Sequence, residues 1–445
     1  MSLITKTGKA TRLIVALSAM AALSACESWI GEDEAPPLPG ERLSVLLIDS
    51  DLEPDPRLAD LTVKLPKPYK NRDWPQLGGY SDHAMHHLEV GGIEEAWSRD
   101  FGDGGDDEAR LLSTPVIVNG VVYVVDIDYM VSAFDAETGK RLWEVDVEIP
   151  EEDEEAFGGG LAYSRGRLFL TTGFASLISL DAKDGTEYWR IDLSGPARSA
   201  PAVNEDAVIA ISIDNQTLAV DPATGEKKWS HAGFSEVAGM IGGASAAIYK
   251  DVALIPYTSG EVFAIRVSNG RSLWSDSLTS LRRSDALSSL SDVRGAPVID
   301  RGVGYAVSQS GRMVALDMRS GGRIWDRRVG GINTPWIAGD YLFVLANEGH
   351  LVAMTRRGGR VLWLQSLPIW EDEEDLEDPI NWVGPVLAGD RLILANNLGE
   401  VYTISPYSGE FLGKIKVSGP VRVPPVVADG AVYIQTEDGV LHAYR

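Results

Sequence analysis

Few residues in this chain have the types and spacing that chemistry requires. His83, His86 and His87, in Ser-Asp-His-Ala-Met-His-His, stand three and four positions apart. On a helix they would share a face and could offer imidazole nitrogens to zinc. No second set of ligands accompanies them, so they read as surface histidines and no metal site is assigned. The chain has one cysteine, Cys26, which excludes an internal disulfide, a zinc–thiolate cluster and a pair of vicinal cysteines. Thr138-Gly139-Lys140 lacks the glycine spacing of a phosphate loop. No Ser/His/Asp set or paired-carboxylate motif stands out either, so no catalytic residue is assigned. The formal net charge of -25 argues against binding to nucleic acid or to anionic lipid surfaces. Much of the excess lies in the runs Glu151–Glu155 and Glu371–Asp378, which read as solvated loops.

The chemistry that the N-terminus does announce is processing. Lys6, Lys9 and Arg12 precede an apolar stretch from Leu13 to Ala22, the pattern of a signal peptide over residues 1–25. That stretch is shorter than the roughly 20 apolar residues a membrane span needs. Leu23-Ser24-Ala25-Cys26 resembles the bacterial lipobox, which implies lipidation of Cys26 and anchoring by several acyl chains. Residue 27 is Glu, not the Asp that favours retention in the inner membrane. The expected location is therefore the inner leaflet of the outer membrane, facing the periplasm. Residues 26–93 read as a tether, rich in charge, Pro and Gly over Glu32–Arg42 and Asp49–Pro56, with Val45–Ile48 as a short ordered piece.

What positions everything else is a repeat. Ala133-Phe134-Asp135-Ala136-Glu137-Thr138-Gly139-Lys140-Arg141-Leu142-Trp143 recurs at Leu180–Trp189 and Ala219–Trp229. Weaker copies run over Gly270–Trp274, Gly321–Trp325 and Gly359–Trp363, the tryptophan always four residues after the glycine. From Trp97 the successive tryptophans are 46, 46, 40, 45, 51 and 38 residues apart, the length of a propeller blade. Each unit reads as four short strands. Thr114–Val118 leads through Asn119-Gly120, a tight hairpin signal, into Val121–Val125, then Met130–Asp135 and Arg141–Val147. The turn glycine supplies positive φ. Trp97, Trp143, Trp189, Trp229, Trp274, Trp325 and Trp363 are expected in the seams between blades, each indole removing about 150–250 Å² from water.

Seven such units run from Leu112 to Val417, the last with Gly409 but with Gly413 in place of tryptophan. The tail from Val423 supplies three more strands, and Glu95–Asp100 is the missing fourth. The expectation is an all-β protein: an eight-bladed β-propeller of four-stranded antiparallel blades over residues 94–445, closed by pairing of its N- and C-terminal strands.

The motif Ala-x-Asp-x-x-Thr-Gly-x-x-x-Trp resembles the tryptophan-docking repeat of the pyrroloquinoline-quinone-like propellers, across residues 94–445. Together with the lipobox and the tether, it is similar to the outer-membrane β-barrel assembly lipoprotein BamB family. That resemblance implies a non-enzymatic scaffold with no cofactor. Its implied partners are the periplasmic POTRA domains of the barrel-forming subunit, other assembly lipoproteins and unfolded outer-membrane proteins. The contact segments it implies are Leu193-Ser194-Gly195-Pro196-Ala197-Arg198 and Leu290-Ser291-Asp292-Val293-Arg294, with Leu193, Arg198, Asp292 and Arg294 as binding residues. Arg294 stands where an acidic residue is expected and Arg198 is displaced from the usual arginine position. Read from the residues alone, both segments are exposed loops. The alternative is a quinoprotein dehydrogenase, which commonly relies on adjacent cysteines and a calcium site. The cysteines are absent and no cluster in the repeats has calcium-loop spacing.

Overall fold

The second and third strands of each unit are apolar at nearly every position because they are sandwiched between neighbouring sheets. Val121–Val125 and Met130–Asp135 are buried on both faces, whereas the fourth strand, Arg141–Asp146, alternates between half-buried and exposed. The computed structural model describes residues 52–105, 110, 112–149, 158–234, 242–279 and 292–445. Among these the one helix is a single turn, Pro56–Leu58. The rest is strand and loop.

Eight four-stranded antiparallel sheets form the ring. Blade 1 runs from Val116 to Asp146, blade 2 from Gly159 to Asp192, blade 3 from Ala202 to Ala232 and blade 4 from Ala247 to Ser277. Blade 5 spans Val298–Arg327, blade 6 Trp336–Ser366 and blade 7 Trp382–Lys416. Blade 8 is built from both ends: Val426–Ala428, Ala431–Gln435 and Val440–Tyr444 are completed by Glu95–Asp100, with Trp97 opposite Ala443. The acidic run Glu371–Asp378 is an exposed insertion between blades 6 and 7, carrying a two-stranded hairpin, Trp370–Asp372 with Glu377–Pro379. The runs Glu151–Glu155 and Val45–Ile48 lie outside the described residues, as does Cys26.

The tryptophans occupy the expected seams, each on the turn of the next blade. A Cβ at Gly139 of blade 1 would stand 2.6 Å from Trp97 Cδ2 of blade 8. That contact and a φ of 67° both require glycine there. The arrangement repeats with Trp229 on Gly270 and Trp325 on Gly359. In six of the seven seams the indole Nε1 also donates to a carbonyl three residues before the glycine. Examples are Trp229 to Val267 at 2.7 Å and Trp325 to Arg356 at 2.8 Å. Trp97, Trp229 and Trp325 are buried, while Trp143, Trp189, Trp274 and Trp363 are half-buried.

One expectation changes. The segment read as tether, 26–93, belongs to the folded body from residue 52 on. Leu52 packs into the core of blades 5 and 6, and the Asp55 amide donates to the Val361 carbonyl. The chain then passes the Tyr341 hydroxyl, which accepts from the Lys64 amide, and enters the middle of the ring. There, residues 71–88 bond to the innermost strand of every blade, or to residues beside it. Trp74 exchanges backbone hydrogen bonds with Ile117, and Pro75 accepts from Tyr163. The Gln76 side chain pairs with both backbone groups of Val203. Ser81 and Asp82 accept from Ile248 and Ile299, and His86 accepts from the Trp336 indole. Leu88 donates to Leu387, and Asn71 bonds to Val427 and Asp429. Residues 71–88 are a plug. Sequence reading missed it because its bonds go one per blade to strands spread along the whole ring, from Ile117 to Val427, leaving no local period.

Candidate functional site

The plug lies toward the hairpin ends of the inner strands. Gly389 donates to Leu88, Gly91 to Gly430, and the Asn119 amide to the Asp73 carboxylate. The opposite face of the ring carries the connections from each fourth strand into the next blade; we call it the entry face. All four residues expected to bind a partner sit in its connections. Leu193 and Arg198 lie between blades 2 and 3, Asp292 and Arg294 between blades 4 and 5.

The structure brings Arg198 and Asp292 together and takes both out of solvent. They are 4% and 2% exposed, and Arg198 Nη2 donates to both Asp292 oxygens, at 2.9 and 3.1 Å. The reading of these loops as exposed is therefore corrected for this pair. The ion pair spans the connection between blades 3 and 4, where a Cβ at Gly243 would meet Arg198 Cβ at 2.6 Å. Both strands of the clamp are held by backbone as well: the Arg198 amide donates to Ile211, and the Gln309 amide to Asp292. Removing either partner would leave an unpaired buried charge. Arg294 is half-buried, while Leu290 and Ser291 lie outside the described residues.

Two large apolar side chains are exposed on loops of the same face. Leu193 is half-buried, and Ile213 and Phe234 are 55% and 70% exposed. Their loops are tied together: Ile213 donates to Pro196, Gly233 to Asn215, and Asn215 Nδ2 to the Phe234 carbonyl at 2.6 Å. Sequence reading singled out neither Ile213 nor Phe234. The available signal was a large apolar residue placed just beyond a strand end.

No group of three or more His, Cys, Asp or Glu side chains that could hold a metal ion is found among the described residues. His83 and His87 are buried, not at the surface as expected. His83 Nδ1 donates to Pro297 and His87 Nδ1 to Pro66, at 2.7 and 2.8 Å. His87 Nε2 accepts from the Asp390 amide. Burial pulls the His83 pKa down to about 4, opposed by its hydrogen bond to Pro297. These rings fasten the plug.

Fold and seams together define the class: an eight-bladed propeller of the pyrroloquinoline-quinone-like repeat, with a plugged channel and one loop-bearing face. Structural likeness shows that an enzyme shares the fold. A europium-containing methanol dehydrogenase superposes with a TM-score of 0.65 at 15% identity, covering 82% of this chain and 89% of the enzyme. BamB from Moraxella catarrhalis superposes with a TM-score of 0.62 at 20% identity, covering 79% of this chain and 97% of that one. At such identities both show the fold alone.

Sequence comparison goes further. The family described as outer membrane protein assembly factor BamB matches residues 92–153, 130–365 and 368–445. The outer membrane protein assembly factor BamB of Salmonella typhimurium is 30% identical over 355 residues, 78% of this chain and 87% of the relative. That of Escherichia coli K12 is 28% identical over 354 residues, 78% and 88% of the two chains. The chain belongs to the BamB family.

Proposed function

We propose that this protein is a non-enzymatic periplasmic scaffold of the machinery that assembles outer-membrane β-barrel proteins. It is held to the inner leaflet of the outer membrane by lipid on Cys26. Its entry face docks the POTRA domains of the barrel-forming subunit, and other assembly lipoproteins and unfolded outer-membrane proteins gather on the same complex. Family membership supports the assembly role. The observation that carries the docking reading is the exposure of Ile213 and Phe234, on loops hydrogen-bonded to one another and to the connection that carries Leu193 and Arg198. Exposed aromatic and aliphatic side chains on rigidly held loops are the anchors from which interfaces draw most of their energy. In this arrangement Ile213 and Phe234 touch the partner, and Arg198 and Asp292 hold the loops that present them.

The test is capture of the barrel-forming subunit from solubilised envelope by full-length protein carrying Ile213→Ser and Phe234→Ser. Capture should fall about tenfold or more with thermal stability unchanged, as expected when surface anchors worth about 1–2 kcal/mol are removed. Undiminished capture by the double variant would overturn the docking assignment.

A further inference from the structure

Every blade makes the same turn at the entry face, and blade 3 adds to it something the fold does not require. The residue just before each third strand is left-handed. It is glycine in blades 4 to 8, and Tyr129, Ala175 and Asn215 in blades 1 to 3, with φ of 63°, 55° and 59°. In seven blades its carbonyl accepts the amide hydrogen of the residue just past the fourth strand. Leu193 donates to Ala175 in this way, Gly233 to Asn215 and Leu278 to Gly260. That task is done by backbone. Ala175 and Gly260 perform it with no side chain able to hydrogen-bond, so the turn itself asks for no asparagine.

Asn215 nevertheless commits its whole side chain. It is fully buried. Its Nδ2 donates to the Phe234 carbonyl and to Thr258 Oγ1, both at 2.6 Å, and its Oδ1 accepts from the Thr258 amide at 3.1 Å. One planar amide thus joins three pieces of chain: its own turn, the connection leaving blade 3, and the equivalent turn of blade 4. A carboxamide offers donors and an acceptor side by side, whereas aspartate would set oxygen against the Phe234 carbonyl. On its other flank the turn is tied to the connection entering blade 3. Ile213 donates to Pro196 at 2.8 Å, and Ser194 Oγ donates to Asp214 Oδ1 at 3.2 Å. The two exposed side chains, Ile213 and Phe234, are therefore carried by one bonded unit.

Given the docking reading above, we infer that Asn215 is the positioning residue of the docking face, its side-chain amide fastening Phe234 to the turn that carries Ile213. Asn215 is out of reach of a partner and acts through Phe234. A loop held in its binding conformation before the partner arrives spares the complex the cost of ordering it. At 70% exposure the Phe234 ring has little packing of its own to hold it, so the bond to its carbonyl sets where it stands.

The experiment compares the full-length protein with Asn215→Gly, which keeps the left-handed turn and deletes the amide. The first measurement needs no partner: chymotrypsin cleavage after Phe234, followed by mass spectrometry. Losing the bond to the Phe234 carbonyl should speed that cut about fivefold or more, with cutting elsewhere unchanged. The second is capture of the barrel-forming subunit, which Asn215→Gly should weaken about fivefold. In a Phe234→Ser background the same substitution should cost nothing further, as a residue acting through Phe234 requires. A general loosening of the fold would instead speed cutting at many sites and weaken capture in both backgrounds. Should Asn215→Gly fail to fold, Asn215→Asp keeps the acceptor for Thr258, loses the donor to Phe234, and should give the same two results. Unchanged cleavage after Phe234 overturns the fastening whatever becomes of docking. Faster cleavage with undiminished capture, where Phe234→Ser still loses capture, overturns the positioning role alone, as does an equal loss in the Phe234→Ser background. Undiminished capture by both Asn215→Gly and Phe234→Ser overturns the docking reading and the positioning role with it.

Discussion

Seven seams of the ring hold an indole over a glycine, and the eighth does not. Between blades 7 and 8, Gly413 stands where the tryptophan would be, and the turn it would meet is missing because the third strand, Val440–Tyr444, and the fourth, Glu95–Asp100, are not consecutive in the chain. The Arg445 amide donates to Glu94 and the Glu94 amide to Arg445, so backbone bonds stitch these two strands in place of a turn. Aliphatic side chains close the gap, with Ile393, Val401, Ile415, Val432 and Ile434 lining a small cleft beside Tyr444. The indole lock therefore has two halves that come and go together. Where no continuous turn can present a glycine and a carbonyl, an indole has nothing to dock on, and strand pairing does the closing.

The sharpest way to break this comparison is to remove the stitch. A chain ending at Gly439 loses the strand that pairs with Glu95–Asp100 and leaves open sheet edges in blade 8. It should show no cooperative thermal transition by circular dichroism. Next comes a lock: Trp325→Ala should cost about 3–5 kcal/mol in urea unfolding, the range for emptying a buried aromatic site. A loss under about 1 kcal/mol would mean that the seams do not depend on their indoles.

The plug supplies a third test, through pH. His83 has its pKa lowered from 6.5 to about 4, so the unfolded chain binds the extra proton between those values. Stability should be fully present above pH 6.5 and fall as pH drops toward 4, by roughly 3 kcal/mol in all at about 1.4 kcal/mol per unit. His83→Gln should flatten that part of the urea-midpoint profile between pH 4 and 6.5. The smallest effect is expected at the eighth seam. Gly413→Trp should change stability by no more than about 0.5 kcal/mol, because the side chain is exposed there and no turn awaits it. A gain comparable to the loss at Trp325 would show that the turn is dispensable.

The repeat was legible because its parts are local. Each glycine stands four residues before its tryptophan, and the contact each makes is the same in the next unit, so a spacing of 38 to 51 residues carried the blade count and even the shared eighth blade. The candidate site was only half legible. The segments around Leu193 and Asp292 were found through their resemblance to a family, yet their exposure was misjudged, since Arg198 finds its counter-ion 94 residues away. Ile213 and Phe234 went unnoticed because one exposed apolar residue in a loop looks like any other until its neighbours are known.

By itself, then, the order of residues determined the architecture: how many blades, where they divide, which glycines and indoles join them, and that both chain ends share one sheet. Only the folded ring decided that residues 71–88 fill its channel and that Arg198 and Asp292 are clamped out of water. The physical reason is range: turns and strand alternation depend on neighbours a few residues away, whereas a plug touching eight blades and an ion pair joining two separate connections exist only once the ring has closed.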